Sequence, residues 1–283
     1  MSKKYQTYKI TFVLFRNKNY IQEEIGLLEI GIIKTNSSVA KTIWEMTLSV
    51  PEIAKKAKPG QFVNLRLTGK LDPLLRRPIS LHRINPEEGT ITMLYMVVGE
   101  GTAMMSEMEP GTPVDVLGPL GNGWDVDAAG ENMVVIGGGI GIAPLYPLVK
   151  ALCENGKNVE LIMGAKSSDY LTDRSIYEEL GAVVTVTTDD GSAGEKGFVT
   201  TALQNSIQAG KCDFVYACGP KPMLRFVEQI AIDNKIPGQV STESHMGCGL
   251  GICLLCPSKM KDGGYKRTCT EGPVFMIGEL DYE

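Results

Sequence analysis

Four cysteines near the C-terminus carry the strongest chemical signal in this chain: Cys248, four residues, Cys253, two residues, Cys256, then twelve residues to Cys269. C-x4-C-x2-C with a distant fourth cysteine is the plant-type spacing for a [2Fe-2S] cluster, in which four thiolates hold two irons. A loop wrapping a cluster must turn its backbone inward so that amides approach the sulfurs, and Gly247, Gly249 and Gly251 supply permissive positions. Structural zinc also accepts four thiolates, but its usual pattern is two separated C-x2-C knuckles, and only one pair here has that spacing. Disulfides fit poorly, because seven unevenly scattered cysteines in 283 residues do not form the dense framework of a small secreted domain. Cys153 and Cys212 stand in apolar or turn contexts and read as ordinary reduced thiols.

A cluster moves one electron at a time, so a second redox group must supply or collect the electrons. Two upstream segments could hold one. The first is RRPISLH, residues 76–82, among short β-rich runs at 61–67, 90–98 and 112–121 separated by Gly and Pro turns, which suggests an antiparallel barrel. Arg77 could grip a diphosphate bidentately and Ser80 could hydrogen-bond a ring nitrogen, or the arginines could be a surface pair beside a strand. GEGTAMM, residues 99–105, ends a strand and opens a short helix, where backbone amides and the Thr102 hydroxyl could cap a phosphate.

The second segment is MVVIGGGIGIAPLYPLVKAL, residues 133–152: an apolar β-branched run, a glycine-rich turn, then a helix, the order that lays a pyrophosphate on a helix N-terminus. Its spacing is G-x-G-x-G-x-x-P through Gly137, Gly139, Gly141 and Pro144, not G-x-G-x-x-G, and no acidic residue ends the next strand pattern, VELIMGAK. Lys166 and Ser167 follow that strand and could meet a 2′-phosphate, which leaves NAD and NADP both open on the residues alone. Strand patterns at 183–189 and 214–220 complete the signature of a parallel α/β sheet, whose ligands gather at the strands' carboxyl ends.

The elements that must position these residues are bounded by length and charge. A chain of this size divides ordinarily into two or three domains. Its 28 basic and 33 acidic residues give a net charge of −5 with no long block of either sign, which argues against nucleic acid as a partner. No run of eighteen apolar residues exists, and the short apolar stretch near the N-terminus is followed at once by Arg16 and Lys18 with no small-residue cleavage site. The expectation is a soluble cytoplasmic protein, with neither a membrane span nor a secretory leader. His82 and His245 are the only histidines, and each reads as a local hydrogen-bonding residue; no general-base constellation stands out.

The order of motifs, R-P-I-S, then GGGIGIAP, then CGPKPM, then SHMGCGLGICLLC with CTEGPVF, resembles the ferredoxin-NADP reductase superfamily, and within it the electron-transfer subunits of B-type dihydroorotate dehydrogenase. The resemblance implies FAD in the barrel, NAD in the α/β domain and the [2Fe-2S] cluster at the end. By match to family motifs, Arg77, Pro78, Ile79 and Ser80 line the flavin and its diphosphate, Leu94, Tyr95 and Met96 flank it, and Gly101 with Thr102 bind phosphate. Gly137, Gly138, Gly139, Gly141 and Pro144 face the nicotinamide cofactor's phosphates, Cys218, Gly219 and Pro220 lie near the nicotinamide, and Met223 begins the following helix. The four cysteines Cys248, Cys253, Cys256 and Cys269 hold the cluster. The implied organisation is an extension of unassigned role (1–30), an FAD-binding β-barrel (31–128), a nicotinamide-binding α/β domain (129–237) and a [2Fe-2S] domain (238–283).

The same resemblance implies electron flow from an FMN-containing catalytic subunit that oxidises dihydroorotate, through the cluster and FAD, to NAD+, in a heterotetramer serving pyrimidine biosynthesis. Two alternatives stay open. One is the flavin and iron-sulfur subunit of an NADH-dependent ferredoxin:NADP oxidoreductase or sulfide dehydrogenase complex, in which an Asp is expected where this chain has Cys248. The other is a non-catalytic zinc-bearing interaction protein.

Overall fold

In the computed structural model, which describes residues 7–16, 19–67 and 73–282, the N-terminal half forms a closed antiparallel barrel of six strands. These are β2 (Asn19–Ala40), β3 (Ile43–Ser49), β4 (Phe62–Arg66), β5 (Arg77–Asn85), β6 (Thr90–Met96) and β7 (Pro113–Leu120), ordered 2-3-6-5-4-7 and closed by β2 on β7. The remaining N-terminal strand, β1 (Thr7–Arg16), pairs with the first half of β2 as a hairpin. The barrel strand begins before residue 31: Leu27 to Ile30 already pair with Gly118 to Asp115 of β7, because β2 runs unbroken from hairpin into barrel. Alternation decides what fills the barrel, with Val63, Leu65, Leu81, Met93 and Val116 all pointing inward and buried.

Helix α1 (Pro51–Lys56) crosses one end of the barrel, and α2 (Glu100–Ser106) follows β6. The first turn of α1 is met by Glu29, fully buried, whose carboxylate accepts from the Ile53 amide at 3.0 Å.

The second module is a sheet of β8 (Asn132–Gly138), β9 (Asn158–Ala165), β10 (Val183–Thr188), β11 (Glu195–Lys196), β12 (Phe214–Cys218) and β13 (Gly238–Ser241), all parallel, in the order 11-10-9-8-12-13. Near-continuous apolar runs in β8 and β12 reflect burial on both faces, under α3 (Tyr146–Glu154) and α4 (Ser175–Glu178) on one side and α5 (Val199–Gln208) and α6 (Lys221–Asp233) on the other. The strand-turn-helix expected over 133–152 is present, but its turn is a full 3-10 segment, Gly139–Leu145, before α3 begins.

The C-terminal segment does not stand apart at residue 238. Its β13 is a sheet strand, and β16 (Val274–Met276) adds antiparallel to it, so the cysteine loop between them is clamped to the sheet. A small antiparallel pair, β14 (Pro257–Lys259) and β15 (Tyr265–Arg267), brings Cys256 and Cys269 together. Among the described residues, no helix is long and apolar enough to cross a membrane.

Candidate functional site

The loop from Cys248 to Cys256 rests on the outer face of the barrel, where Phe62, Leu117 and Leu120 pack with Met246, Cys256 and Cys269. Backbone amides converge on the sulfurs: Leu250 N donates to Cys248 Sγ at 3.3 Å, Cys253 N to the same sulfur at 3.5 Å, Cys248 N to Cys253 Sγ at 3.4 Å and Gly251 N to Cys269 Sγ at 3.2 Å. Gly249 and Gly251 make this possible with φ of +73° and +75°, the left-handed region that glycine reaches without strain. Burial opposes ionisation of Cys248, but the Leu250 and Cys253 amides outweigh it and bring that thiol down to about 7. Cys269 goes the other way, to about 12, through burial and its contact with Cys256.

Cys248 and Cys253 exchange amide-to-sulfur bonds, while the Thr268 amide and hydroxyl hold the Cys256 carbonyl and so set Cys256 beside Cys269. The C-x4-C-x2-C spacing on this frame suits two irons and lacks the two separated knuckles usual for structural zinc. The chemistry around them fits a sulfur-rich group as well, for the buried Thr270 Oγ1, next to Cys269, has no protein partner. Around the outer rim, Cys253, Ile252, Leu254 and Leu255 are exposed.

Beneath the loop lies Asn64, which sequence reasoning missed. It is completely buried on β4, and both Nδ2 and Oδ1 are unpaired, an arrangement that costs on the order of 1–3 kcal/mol unless another group satisfies it. Its only sequence signal was a polar residue inside an apolar strand pattern.

The RRPISLH arginines separate by role. Arg76 is bound bidentately to Asp115 at 3.0 and 2.9 Å, a half-buried pair that ties β5 to β7. Among the described residues, Arg77 bonds only the backbone carbonyls of Leu75 and Arg76, and its guanidinium lies against Gly101, where a Cβ would collide with it. The Thr102 hydroxyl is already engaged, accepting from the Val98 and Gly99 amides and donating to the Gly99 carbonyl. Pro78 and Ser80 stand opposite Asn64 and Phe62 on the outward face, while Ile79 packs against the barrel core. On β6, Tyr95 points into that core and its hydroxyl donates to Asn36 Oδ1 at 2.8 Å, whereas Leu94 joins the core of the sheet module; Met96, at the strand end, is half-buried.

At the carboxyl ends of β8 and β12, the two glycine motifs meet, with Cys218 directly opposite Gly137. A Cβ on Gly141 would enter the Cys218 carbonyl, one on Gly138 the Met223 thioether, and one on Gly219 would stand 2.6 Å from Met223 Cε. Gly139 has φ +55°, and Pro144 is buried in the 3-10 segment. Pro220 caps α6 with its ring exposed. Burial pushes the Cys218 thiol up, so it stays protonated and shapes the floor. His82 Nδ1 bonds the Ala143 carbonyl at 3.0 Å, and burial lowers the imidazole to about 4, so a neutral histidine pins the 3-10 segment to the barrel. Trp124 Nε1 adds a second tie by donating to the Pro144 carbonyl at 3.3 Å. His245 is exposed.

A closed antiparallel barrel followed by a parallel sheet with a glycine-lined carboxyl edge defines a ferredoxin-reductase-like class of oxidoreductase. The solved ferredoxin reductase of carbazole 1,9a-dioxygenase shares the fold at 19% identity and a TM-score of 0.64, over 74% of this chain and 66% of that one. A closer structure, the NADH-dependent reduced ferredoxin-NADP oxidoreductase described for flavin-based electron bifurcation, matches at 36% identity and a TM-score of 0.82, covering 89% of this chain and 90% of that one. The family model for the iron-sulfur cluster binding domain of dihydroorotate dehydrogenase B matches residues 243–281, and that for the oxidoreductase NAD-binding domain residues 135–229. The electron transfer subunit of dihydroorotate dehydrogenase B (NAD(+)) from Geobacillus sp. (strain WCH70) is 42% identical over 86% of this chain and 94% of its own length. The counterpart from Desulforamulus reducens is 38% identical over 87% of this chain and 95% of its own. The chain belongs to the family of dihydroorotate dehydrogenase B electron transfer subunits.

Proposed function

We propose that this chain passes electrons from a partner flavoprotein that oxidises dihydroorotate to NAD+, in pyrimidine biosynthesis, with FAD and a [2Fe-2S] cluster as resident cofactors. The observation that carries the reading is the convergence of loop amides on the sulfurs of Cys248, Cys253 and Cys269, on the barrel face that also bears Pro78 and Ser80. When bound, a cluster exchanges single electrons and a flavin exchanges either one electron or a hydride, which together join one-electron to two-electron chemistry.

The chain's residues supply binding and orientation. Cys248, Cys253, Cys256 and Cys269 hold the cluster, with loop amides stabilising the thiolates. Arg77, free of any carboxylate among the described residues, grips the flavin's diphosphate beside Gly101, with the Thr102 hydroxyl bracing the Gly99 turn. Pro78 and Ser80 line the ring, with Leu94 and Met96 beside it; Ile79 and Tyr95, whose side chains turn into the barrel, serve through their backbone. Gly137, Gly138, Gly139 and Gly141, with Pro144, admit the dinucleotide's phosphates, and Cys218, Gly219, Pro220 and Met223 form the surface under the nicotinamide. The partner is an FMN-containing catalytic subunit, the assembly a heterotetramer and the compartment the cytoplasm; the exposed apolar rim at Ile252, Leu254 and Leu255 suits such a docking face.

The likeness to the ferredoxin-NADP oxidoreductase favours a second reading, a subunit of that kind of complex. Cys248 at the first ligand position, where that group is expected to carry Asp, favours the dihydroorotate reading.

The deciding experiment is an anaerobic visible spectrum of the purified chain before and after NADH, with iron and flavin quantified. Two irons and one FAD per chain, with flavin bleaching on NADH, is the expected outcome. A protein that stays colourless after reconstitution with iron, sulfide and FAD, and binds zinc instead, refutes it.

A further inference from the structure

On β4, Val63 and Leu65 enter the barrel core, so Phe62 and Asn64 face outward, toward the cysteine loop. Residues opposite one another on an antiparallel ladder share a face, which sets Asn64 in one row with Pro78 on β5 and Leu117 on β7. The register of β4 against β7 shifts at this point, between Phe62 and Asn64, a bulge that aims side chains off the regular sheet. Over Asn64 sits Gly249, the neighbour of Cys248: a Cβ there would stand 2.8 Å from Asn64 Nδ2, a distance only glycine tolerates. The Asn64 carbonyl is held by Arg76 at 3.3 Å, and Arg76 is locked on Asp115, so the strand beneath the carboxamide is rigid. A fully buried carboxamide with both ends unpaired is thus fixed between the flavin-bearing strand and the first cluster ligand.

We infer that the Asn64 carboxamide N–H donates a hydrogen bond to sulfur of the bound cluster at its Cys248 end, stabilising the reduced cluster and raising its potential. Asn64 is a positioning residue in the electron relay, and the inference rests on the cofactor reading above. The physical ground is charge: reduction adds a negative charge to the cluster, an N–H donor stabilises that form more than the oxidised one, and low dielectric strengthens the effect. The four loop amides are spent on thiol sulfurs, while two buried side-chain donors beside the loop have nothing to donate to, the Thr270 hydroxyl next to Cys269 and the Asn64 carboxamide under Gly249 at the Cys248 end.

The test is an EPR-monitored redox titration of the reconstituted full chain, wild type against Asn64→Leu and Asn64→Asp. Both variants should keep two irons and the flavin potential, while the cluster becomes about tenfold harder to reduce at a given potential, about 59 mV for a one-electron couple. An unchanged cluster potential in a variant that retains its cluster overturns the inference. Because a variant could lose the cluster altogether, the wild type is also read directly: protein carrying side-chain 15N-asparagine should give a 15N coupling in pulsed EPR of the reduced cluster. Absence of that coupling overturns the inference whatever the variants do. A wild type that takes up no cluster on reconstitution removes the cofactor reading itself, an outcome distinct from a bound cluster without the coupling.

Discussion

Two glycine-rich turns, residues 137–141 at the sheet edge and 247–251 in the cysteine loop, need glycine for different reasons. At the sheet edge the demand is space: Gly137, Gly138 and Gly141 lie outside the left-handed region, but a side chain on any of them would enter Ile142, Met223 or the Cys218 carbonyl. In the cysteine loop the demand is conformation as well: Gly249 and Gly251 are left-handed, and only that curvature turns the following amides onto the sulfurs. The surroundings differ in the same sense. The sheet edge is a preformed surface of strand ends from which side chains are excluded by close backbone and side-chain neighbours. The loop aims its amides at the sulfurs of Cys248, Cys253 and Cys269, and these are electrostatically unequal, with Cys248 at about 7 and Cys269 at about 12.

The largest effect is expected from Cys256→Ser. It should abolish cluster incorporation and electron exchange with the partner, while NADH reduction of the flavin continues at the wild-type rate; iron analysis and stopped-flow flavin bleaching read the two halves separately. Coupling retained without a cluster would refute the relay.

Gly141→Val strikes the other end. Overpacking against the Cys218 carbonyl should slow NADH reduction of the flavin by tenfold or more, consistent with a cost of ~1–3 kcal/mol, and leave the cluster's EPR spectrum unaltered. A spectrum that changes with it would mean the two regions are mechanically coupled rather than independent.

Arg77→Ala should weaken flavin retention by roughly tenfold, the scale of one lost charge-assisted contact, measured as FAD released on ultrafiltration. Unchanged occupancy would transfer the diphosphate to other groups. The smallest effect concerns the tie between the modules. Burial holds the folded His82 near 4, against 6.5 when exposed, so the unfolded chain binds the extra proton between those values. Stability contributed by neutral His82 is complete above about pH 6.5 and is lost as pH falls toward 4, by about 1.4 kcal/mol per unit within that window. Thermal melts at pH 7.5 and 5.5 should show the drop, and His82→Gln should flatten it; an equal drop in the variant would assign the pH dependence to other groups.

The cysteine spacing, the RPIS strand and the two glycine motifs were legible in the chain because each leaves a mark in near spacing: ligand separation, strand alternation, or glycines clustered after an apolar run. The barrel strands at 61–67, 90–98 and 112–121 and the sheet strands at 183–189 and 214–220 follow from the same short-range rules. What those rules could not reach were contacts between residues far apart in sequence. Nothing local distinguishes Arg76 from Arg77; only the arrival of Asp115 makes one structural and leaves the other available. Nor does alternation alone reveal that Tyr95 spends its hydroxyl on Asn36, that β13 and β16 bind the cysteine segment to the sheet, or that β2 carries the N-terminal segment into the barrel. Which groups could bind irons and phosphates follows from residue type and near spacing, where that chemistry resides. The tertiary structure alone decided which of them share a face, which are already satisfied, and that a buried carboxamide at position 64 waits under the cysteine loop, because burial and hydrogen-bond satisfaction are set by strands brought together from the whole length of the chain.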